Sequence, residues 1–145
     1  MGTDPFDLNR FVTAQQGAYP QALAELKAGR KRSHWIWYIL PQLAVLGRSS
    51  MAQHYGLSGL EEARAYLHHP VLGPRLRKCC EALLEHEGLS AHAILGSPDD
   101  LKLRSCATLF ARADKPGSQF EQILDKYYGG EPDSLTLSYL QRRQG

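Results

Sequence analysis

The chain has 145 residues, of which 43% are hydrophobic and 22% charged, and its formal net charge is +2. These totals are typical of one globular domain and exclude an intrinsically disordered chain. The weak positive charge is far below that of a dedicated nucleic-acid-binding protein, so a nucleic-acid partner is not expected, whereas an anionic small molecule is slightly favoured.

Helix-capping residues and helix-stopping glycines and prolines divide the chain into short helices. Taken in chain order, these signals predict helices over residues 8–17, 20–29, 34–40, 50–55, 58–70, 72–88, 97–113, 118–129 and 134–143, with a single turn over 90–96. No segment has the alternating pattern of a strand. The sequence therefore predicts an all-α domain of roughly seven to nine short helices spanning 1–145.

The starts of these helices depend on specific polar side chains. The expected N-caps are Asp7, Ser33, Ser90 and Asp133, and Ser97 is expected to cap the helix that continues through Pro98 and two aspartates. The spacing of a serine and a glutamate three residues later predicts two capping boxes. These are Ser58 with Glu61 and Ser118 with Glu121.

The helix that begins at Leu72 has the clearest amphipathic pattern. Its expected buried positions are Leu72, Leu76, Cys79 and Leu83, while Arg77, Lys78, Glu81 and Glu85 lie on the opposite face. The three cysteines, Cys79, Cys80 and Cys106, are an odd number without zinc-ligand spacing, so no disulfide and no metal are expected. This pattern favours a reducing, cytoplasmic compartment. We also expect no signal peptide and no membrane span, since the longest uncharged stretch, 33–47, is too short.

Three consecutive cations, Arg30, Lys31 and Arg32, precede the predicted start of the third helix. A helix start has free N–H groups and a partial positive charge, so cations beside it favour an anion-binding surface. The alternative interpretation is an ordinary solvated turn.

The third helix has an aliphatic side and an aromatic side. At about 100° per residue, Ile36, Leu40 and Leu43 fall together and are expected in the core. The other side and its flank hold aromatic and polar groups, namely His34, Trp35, Trp37, Tyr38 and Gln42. These side chains are predicted either to line a ligand pocket or, like most aromatic residues at helical spacing, to be core.

This segment, GRKRSHWIWYILPQ at 29–42, closely resembles the signature of the DUF1810 family, a bacterial family of unknown function. Three further stretches resemble the family in the same order: DLNRFVTAQ at 7–15, HPVLGPRL at 69–76 and DLKLRSCATLF at 100–110. The chain departs from the signature at Cys106 and Ala107, where a serine and a methionine are expected. The resemblance implies an α-helical single domain and no established activity, substrate or catalytic residue.

A second group of polar residues lies on the helix predicted over 97–113. Ser105 and Thr108 share one side of that helix, and Lys102 flanks them. Hydroxyls and a cation are suitable ligands for phosphate. The alternative is a solvated face whose hydroxyls bond back to the helix backbone.

Catalytic or metal chemistry has weak support. His68 and His69 are adjacent but have no partners at metal-ligand spacing, so neither a metal nor a cofactor is expected. No nucleophile motif is present, and the catalytic residues are unknown. If the protein is an enzyme, His34 is the best candidate acid or base, since the ordinary pKa of histidine lies nearest neutrality.

The leading functional hypothesis is therefore a binding domain for a small anionic ligand, phosphate-bearing or nucleotide-like. Its cations would be Arg30, Lys31 and Arg32, its wall the aromatic side of the third helix, and its closing residues those of the second polar group. The alternatives are a non-enzymatic protein-interaction module and an orphan hydrolase acting on a nucleotide-derived substrate. The sequence does not define an oligomeric state.

Overall fold

The computed structural model describes residues 4–144, and side chains as far as Arg142, so both ends of the predicted domain 1–145 lie outside the described residues. Within this range the regular structure is helical, and β-pairing is limited to one isolated bridge between Leu43 and Leu57. The helices are α1 Asn9–Ala28, α2 Ile36–Ile39, α3 Ser50–Tyr55, α4 Leu60–His68, α5 Leu72–Leu84, α6 Ala91–Leu95, α7 Asp99–Ala113, α8 Gln119–Tyr128 and α9 Ser134–Gln144. The all-α prediction is confirmed.

The first two predicted helices are one continuous helix, α1, so the prediction of a stop at Gly17 and a new start at Pro20 is wrong. Pro20 lacks an N–H and usually interrupts a helix. Here it lies on the exposed side of α1, where water can satisfy the carbonyl that loses its partner. The opposite side buries Phe11 and Leu26 completely, and its packing against α5 holds the helix together.

Helices α5 and α7 form the centre of the fold. α5 packs against α1, α4 and α8, while α7 packs against α4, α6, α8 and α9. The predicted apolar face of α5 is confirmed, because all four of its expected core residues are at most 1% exposed. Aromatic rings in edge-to-face, tilted and stacked contact join the helices across the core, in the order Phe11, Tyr66, Phe110 and Phe120.

Several predicted caps are present and others are replaced. Side chains of Ser90, Ser118 and Asp133 accept hydrogen bonds from backbone N–H groups in the first turns of α6, α8 and α9. At α4, Ser58 bonds to Glu62 instead of the predicted Glu61. Asp7 does not cap α1, since the carboxylate of Asp4 accepts the N–H groups of residues 8 and 9 instead. The N-cap position of α7 is Pro98, and the predicted cap by Ser97 is not formed.

Candidate functional site

The segment that joins α1 to α2 wraps around the carboxylate of Glu25. Its Oε1 accepts hydrogen bonds from the backbone N–H of Arg32 at 2.8 Å, the backbone N–H of Ser33 at 3.1 Å and the Trp35 indole Nε1–H at 2.9 Å. Its Oε2 accepts the Ser33 hydroxyl at 2.5 Å and the Gln21 amide at 3.1 Å. Glu25 is only 8% exposed. One carboxylate therefore determines the path of the chain into α2.

These contacts set the charge state of Glu25. Burial alone would raise its pKa, but the four hydrogen bonds donated by Ser33, Arg32 and Trp35 outweigh this effect and lower the pKa from 4.5 to about 2. Glu25 is thus ionised at neutral pH. Its hydrogen bonds also explain why Ser33 does not cap the third predicted helix, which begins only at Ile36 instead of His34.

Next to this network, two lysines share one carboxylate. Lys31 Nζ lies 2.9 Å from Asp99 Oδ2, and Lys102 Nζ lies 3.5 Å from Asp99 Oδ1. Each ammonium also lies over a tryptophan, with Lys31 5.0 Å from the centre of the Trp35 ring and Lys102 4.8 Å from that of Trp37. We call these five residues the Lys-Trp cluster. It contains two positive charges and one negative charge, and the ionised Glu25, bonded to Trp35, brings a second negative charge beside it.

The two tryptophans differ in accessibility. Trp35 is 1% exposed and is a core residue, whereas Trp37 is half-buried. Tyr38 is also half-buried, and its hydroxyl donates to the carbonyl of the exposed His34 at 3.3 Å. Burial raises the pKa of Tyr38, so the phenol is protonated at neutral pH. Of the predicted aromatic wall, Trp37 and Tyr38 are therefore accessible to a ligand, whereas Trp35 is not.

The three predicted cations have different environments. Lys31 is paired, and its side chain is only 7% exposed. Its backbone N–H donates to the carbonyl of Ile94 at 2.7 Å, which attaches this segment to α6. Arg30 and Arg32 are exposed, and neither side chain forms an ion pair with any described residue.

The second polar group is only partly at the cluster. Lys102 reaches it, as the hypothesis requires, but Ser105 and Thr108 are 7% and 1% exposed. Their hydroxyls bond back to carbonyls of their own helix at 3.2 and 2.8 Å, and Thr108 also accepts the N–H of Asp133. The hydroxyls thus bond back to the helix backbone, as the alternative expected, but they are buried instead of solvated. The half-buried Gln42 contributes its backbone carbonyl to the bridge with Leu57.

Two acidic residues that organise this region were not predicted as part of it. Glu25 shares the buried face of α1 with Ala22 and Leu26, and an acidic residue among apolar positions at i−3 and i+1 could have indicated a buried carboxylate. Asp99 was predicted only as an acidic residue at a helix start. No sequence signal links it to Lys31, which is far away along the chain.

Two surface cavities lie away from the cluster. One, of about 360 Å³, is next to the start of α4 between Phe6 and Leu140. The other, of about 340 Å³, lies between α7 and α8 near Arg112 and Asp125. Among residues 4–144, no group of three His, Cys, Asp or Glu side chains could hold a metal ion. In the same range, no helix is both long and apolar enough to cross a membrane.

Comparisons with known proteins give the relatives of this chain. The model of a family described as "Protein of unknown function (DUF1810)" matches residues 5–140. The crystal structure of the conserved hypothetical protein Rv1873 from Mycobacterium tuberculosis is similar, with 52% sequence identity and a TM-score of 0.93 over 95% of this chain and 99% of that chain. A comparison with curated proteins gave no match. These similarities establish kinship and fold, and any function has to be argued from the chain's own geometry.

Proposed function

We propose a function from geometry, since the chain belongs to the DUF1810 family, which is described as of unknown function. The proposed function is the binding of a small anionic ligand, phosphate-bearing or nucleotide-like, at the Lys-Trp cluster. The observation that carries the proposal is that Lys31 and Lys102 share the single carboxylate of Asp99 beside a half-buried indole.

The charge balance supports an anionic ligand. Lys31, Lys102 and the exposed Arg30 and Arg32 bring four positive charges to this region, whereas Asp99 and the ionised Glu25 bring two negative charges. The Lys102 side chain is 23% exposed and its 3.5 Å contact with Asp99 is the longer of the two, so Lys102 is the cation better able to contact a ligand. The exposed Arg30 and Arg32 add positive charge at the same turn, and charges of one sign raise the local concentration of an opposite ligand.

The accessible rings support a planar group next to the anion. Trp37 and Tyr38 keep part of their surface open, and the His34 side chain is exposed. The contact between Lys102 and Trp37 places a cation directly beside an aromatic surface. A nucleotide combines a phosphate with a flat base, so it can use both kinds of contact. In this proposal Trp35, Ser105 and Thr108 support the fold instead of contacting the ligand.

Calorimetric titration and thermal shift with ATP, ADP-ribose and glucose 6-phosphate test the proposal. At a concentration of 100 times its Kd, a ligand that binds only the folded state stabilises that state by about 2.7 kcal/mol. Lys102→Gln removes the accessible charge and should weaken binding about tenfold, equivalent to about 1.4 kcal/mol. The matched control is Lys78→Gln, because Lys78 is exposed on α5 and forms no ion pair among the described residues. Unchanged binding by Lys102→Gln, or no binding of any of the three compounds, would contradict the proposal.

One observation favours a protein-interaction module as the second candidate. The side chains of Arg30 and Arg32 extend into solvent from a turn that Glu25 holds in place, and this arrangement suits docking of an acidic protein surface. Replacing both arginines by glutamine separates the candidates. A ligand held by Lys102 and Trp37 should keep most of its affinity, whereas an acidic partner docked on the turn should lose its affinity.

A further inference from the structure

Gln15, Arg75 and Tyr19 form a polar cluster on α1 and α5, and the proposed function uses none of these three side chains. Its centre is Gln15, which is 1% exposed. The Gln15 amide donates to the carbonyl of Tyr38 at 2.7 Å and to the hydroxyl of Tyr66 at 3.1 Å. Its oxygen accepts a hydrogen bond from Arg75 Nη1 at 3.3 Å. Gln15 thus holds the Arg75 guanidinium in place through one hydrogen bond.

Arg75 has no counter-ion among the described residues. Four arginines are half-buried in the described part of the chain, and three of them, Arg10, Arg77 and Arg104, form an ion pair with a carboxylate. Arg75 forms no such pair with any described residue. A guanidinium has five N–H donors, and the bond to Gln15 uses one of them. A half-buried cation with unused donors is costly unless an anion or water satisfies it.

Tyr19 provides a second unused polar group at the same place. The Arg75 guanidinium carbon lies 4.9 Å from the centre of the Tyr19 ring. The Tyr19 hydroxyl is buried and has no hydrogen-bond partner in the described part of the chain. Burial raises the pKa of this phenol, so the group is protonated and can donate. A buried hydroxyl without a partner is uncommon in folded proteins and calls for an explanation.

We propose that Arg75 and Tyr19 form a binding site for an oxyanion, the carboxylate or phosphate group of a small molecule. Two guanidinium N–H groups can hold two oxygens of such a group in the fork geometry that arginine favours. The guanidinium lies against the tyrosine ring, so an anion held by Arg75 would lie next to Tyr19. The site is built on α1 and α5 from residues outside the Lys-Trp cluster, and it does not depend on the function proposed there.

The binding test is a titration of the ¹⁵N-labelled protein with sodium phosphate and, separately, sodium acetate, at constant ionic strength in a buffer containing neither. Saturable shifts of the amide signals of Gln15, Tyr19 and Arg75 are expected. Binding of phosphate alone identifies a phosphate ligand, and binding of acetate alone identifies a carboxylate. Arg75→Gln should abolish the shifts, and Arg75→Lys should weaken binding about tenfold or more through loss of the fork. Arg77→Gln is the matched control, because Arg77 is already paired with Asp114.

Tyr19→Phe distinguishes a binding role from a structural role. It should weaken anion binding about tenfold, since a hydrogen bond to a charged group is lost. Without ligand it should keep or raise Tm, because it removes a hydroxyl that has no partner. Tyr127→Phe should instead lower Tm, since the Tyr127 hydroxyl donates to the carbonyl of Leu83.

Three results would overturn this site. The first is the absence of saturable shifts with either anion at about 50 mM, where even a Kd of about 10 mM is detectable. The second is shifts that persist in Arg75→Gln. The third is a Tyr19→Phe protein that is less stable than wild type, which would mean that the hydroxyl has a structural partner. Lys102→Gln should leave these amide shifts unchanged, so failure of this site and failure of the Lys-Trp cluster are distinguishable.

Discussion

Removing the carboxylate of Glu25 should destabilise the protein more than removing any exposed acidic side chain. In Glu25→Ala the Trp35 indole N–H loses its acceptor inside the core, where an unsatisfied donor costs about 1–3 kcal/mol. Three further donors lose the same acceptor, namely the backbone N–H groups of Arg32 and Ser33 and the Ser33 hydroxyl. These donors are only partly buried, so water replaces some of the lost hydrogen bonds. The total expected loss is about 3–5 kcal/mol.

This loss can be measured by urea and thermal unfolding. For a domain of this size, 1 kcal/mol changes Tm by roughly 3 °C, so Glu25→Ala should lower Tm by about 10–15 °C. The matched control is Glu87→Ala, because Glu87 is exposed and forms no ion pair or side-chain hydrogen bond among the described residues. Its Tm should change by less than about 2 °C. A Glu25→Ala protein within 1 kcal/mol of wild type would refute the reasoning.

The pH dependence provides a second, independent measurement on Glu25. Its pKa is lowered in the folded state, so the stabilisation by its charge is fully present above the ordinary pKa of 4.5 and is lost as the pH falls towards 2. The interval between 4.5 and about 2 corresponds to at most about 3 kcal/mol. Glu25→Gln keeps the size of the side chain but does not titrate. Its stability should therefore fall less than that of wild type between pH 5 and pH 2, and equal slopes would contradict the assignment.

Three further predictions follow from the packing. The three cysteines are free and buried, so the folded protein should need no disulfide and reductant should not change Tm. Burial raises the pKa of Cys79 to about 12, so a thiol reagent should react with it only after unfolding. Gly73→Ala should lower the free energy of unfolding in urea by roughly 2–4 kcal/mol, because the added methyl group would lie 2.1 Å from the Leu67 carbonyl oxygen. An unchanged urea midpoint would show that α4 moves away freely. Leu40→Ala should lower the free energy of unfolding by about 2–5 kcal/mol, because Leu40 is 1% exposed, and His34→Ala should lower it by less than about 1 kcal/mol, because His34 is exposed. Equal losses of stability would place His34 in the core.

The chain's local patterns were sufficient for the fold class and for individual helices. The apolar spacing of α5 predicted its buried face, and Ser90, Ser118 and Asp133 were recognised as caps. Both kinds of signal involve residues within four positions of each other, where the geometry of a helix leaves little choice. The continuity of α1 through Pro20 could not be predicted in this way. It depends on α5, which packs along α1 and compensates for one lost backbone hydrogen bond.

The amino-acid sequence by itself determined the all-α class, the apolar stripe of α5 and the grouping of cations and aromatic residues between 29 and 42. Only the tertiary structure decided which of those residues lie together and which are buried. It buried Trp35, whose indole N–H donates to Glu25, and it left His34 exposed. It also brought Lys102 over the Trp37 ring and Lys31 to the carboxylate of Asp99. The physical reason is that a helix pattern defines which side of a segment is apolar, but not which distant segment packs against it. Charge pairing between α7 and the loop before α2 depends on that packing.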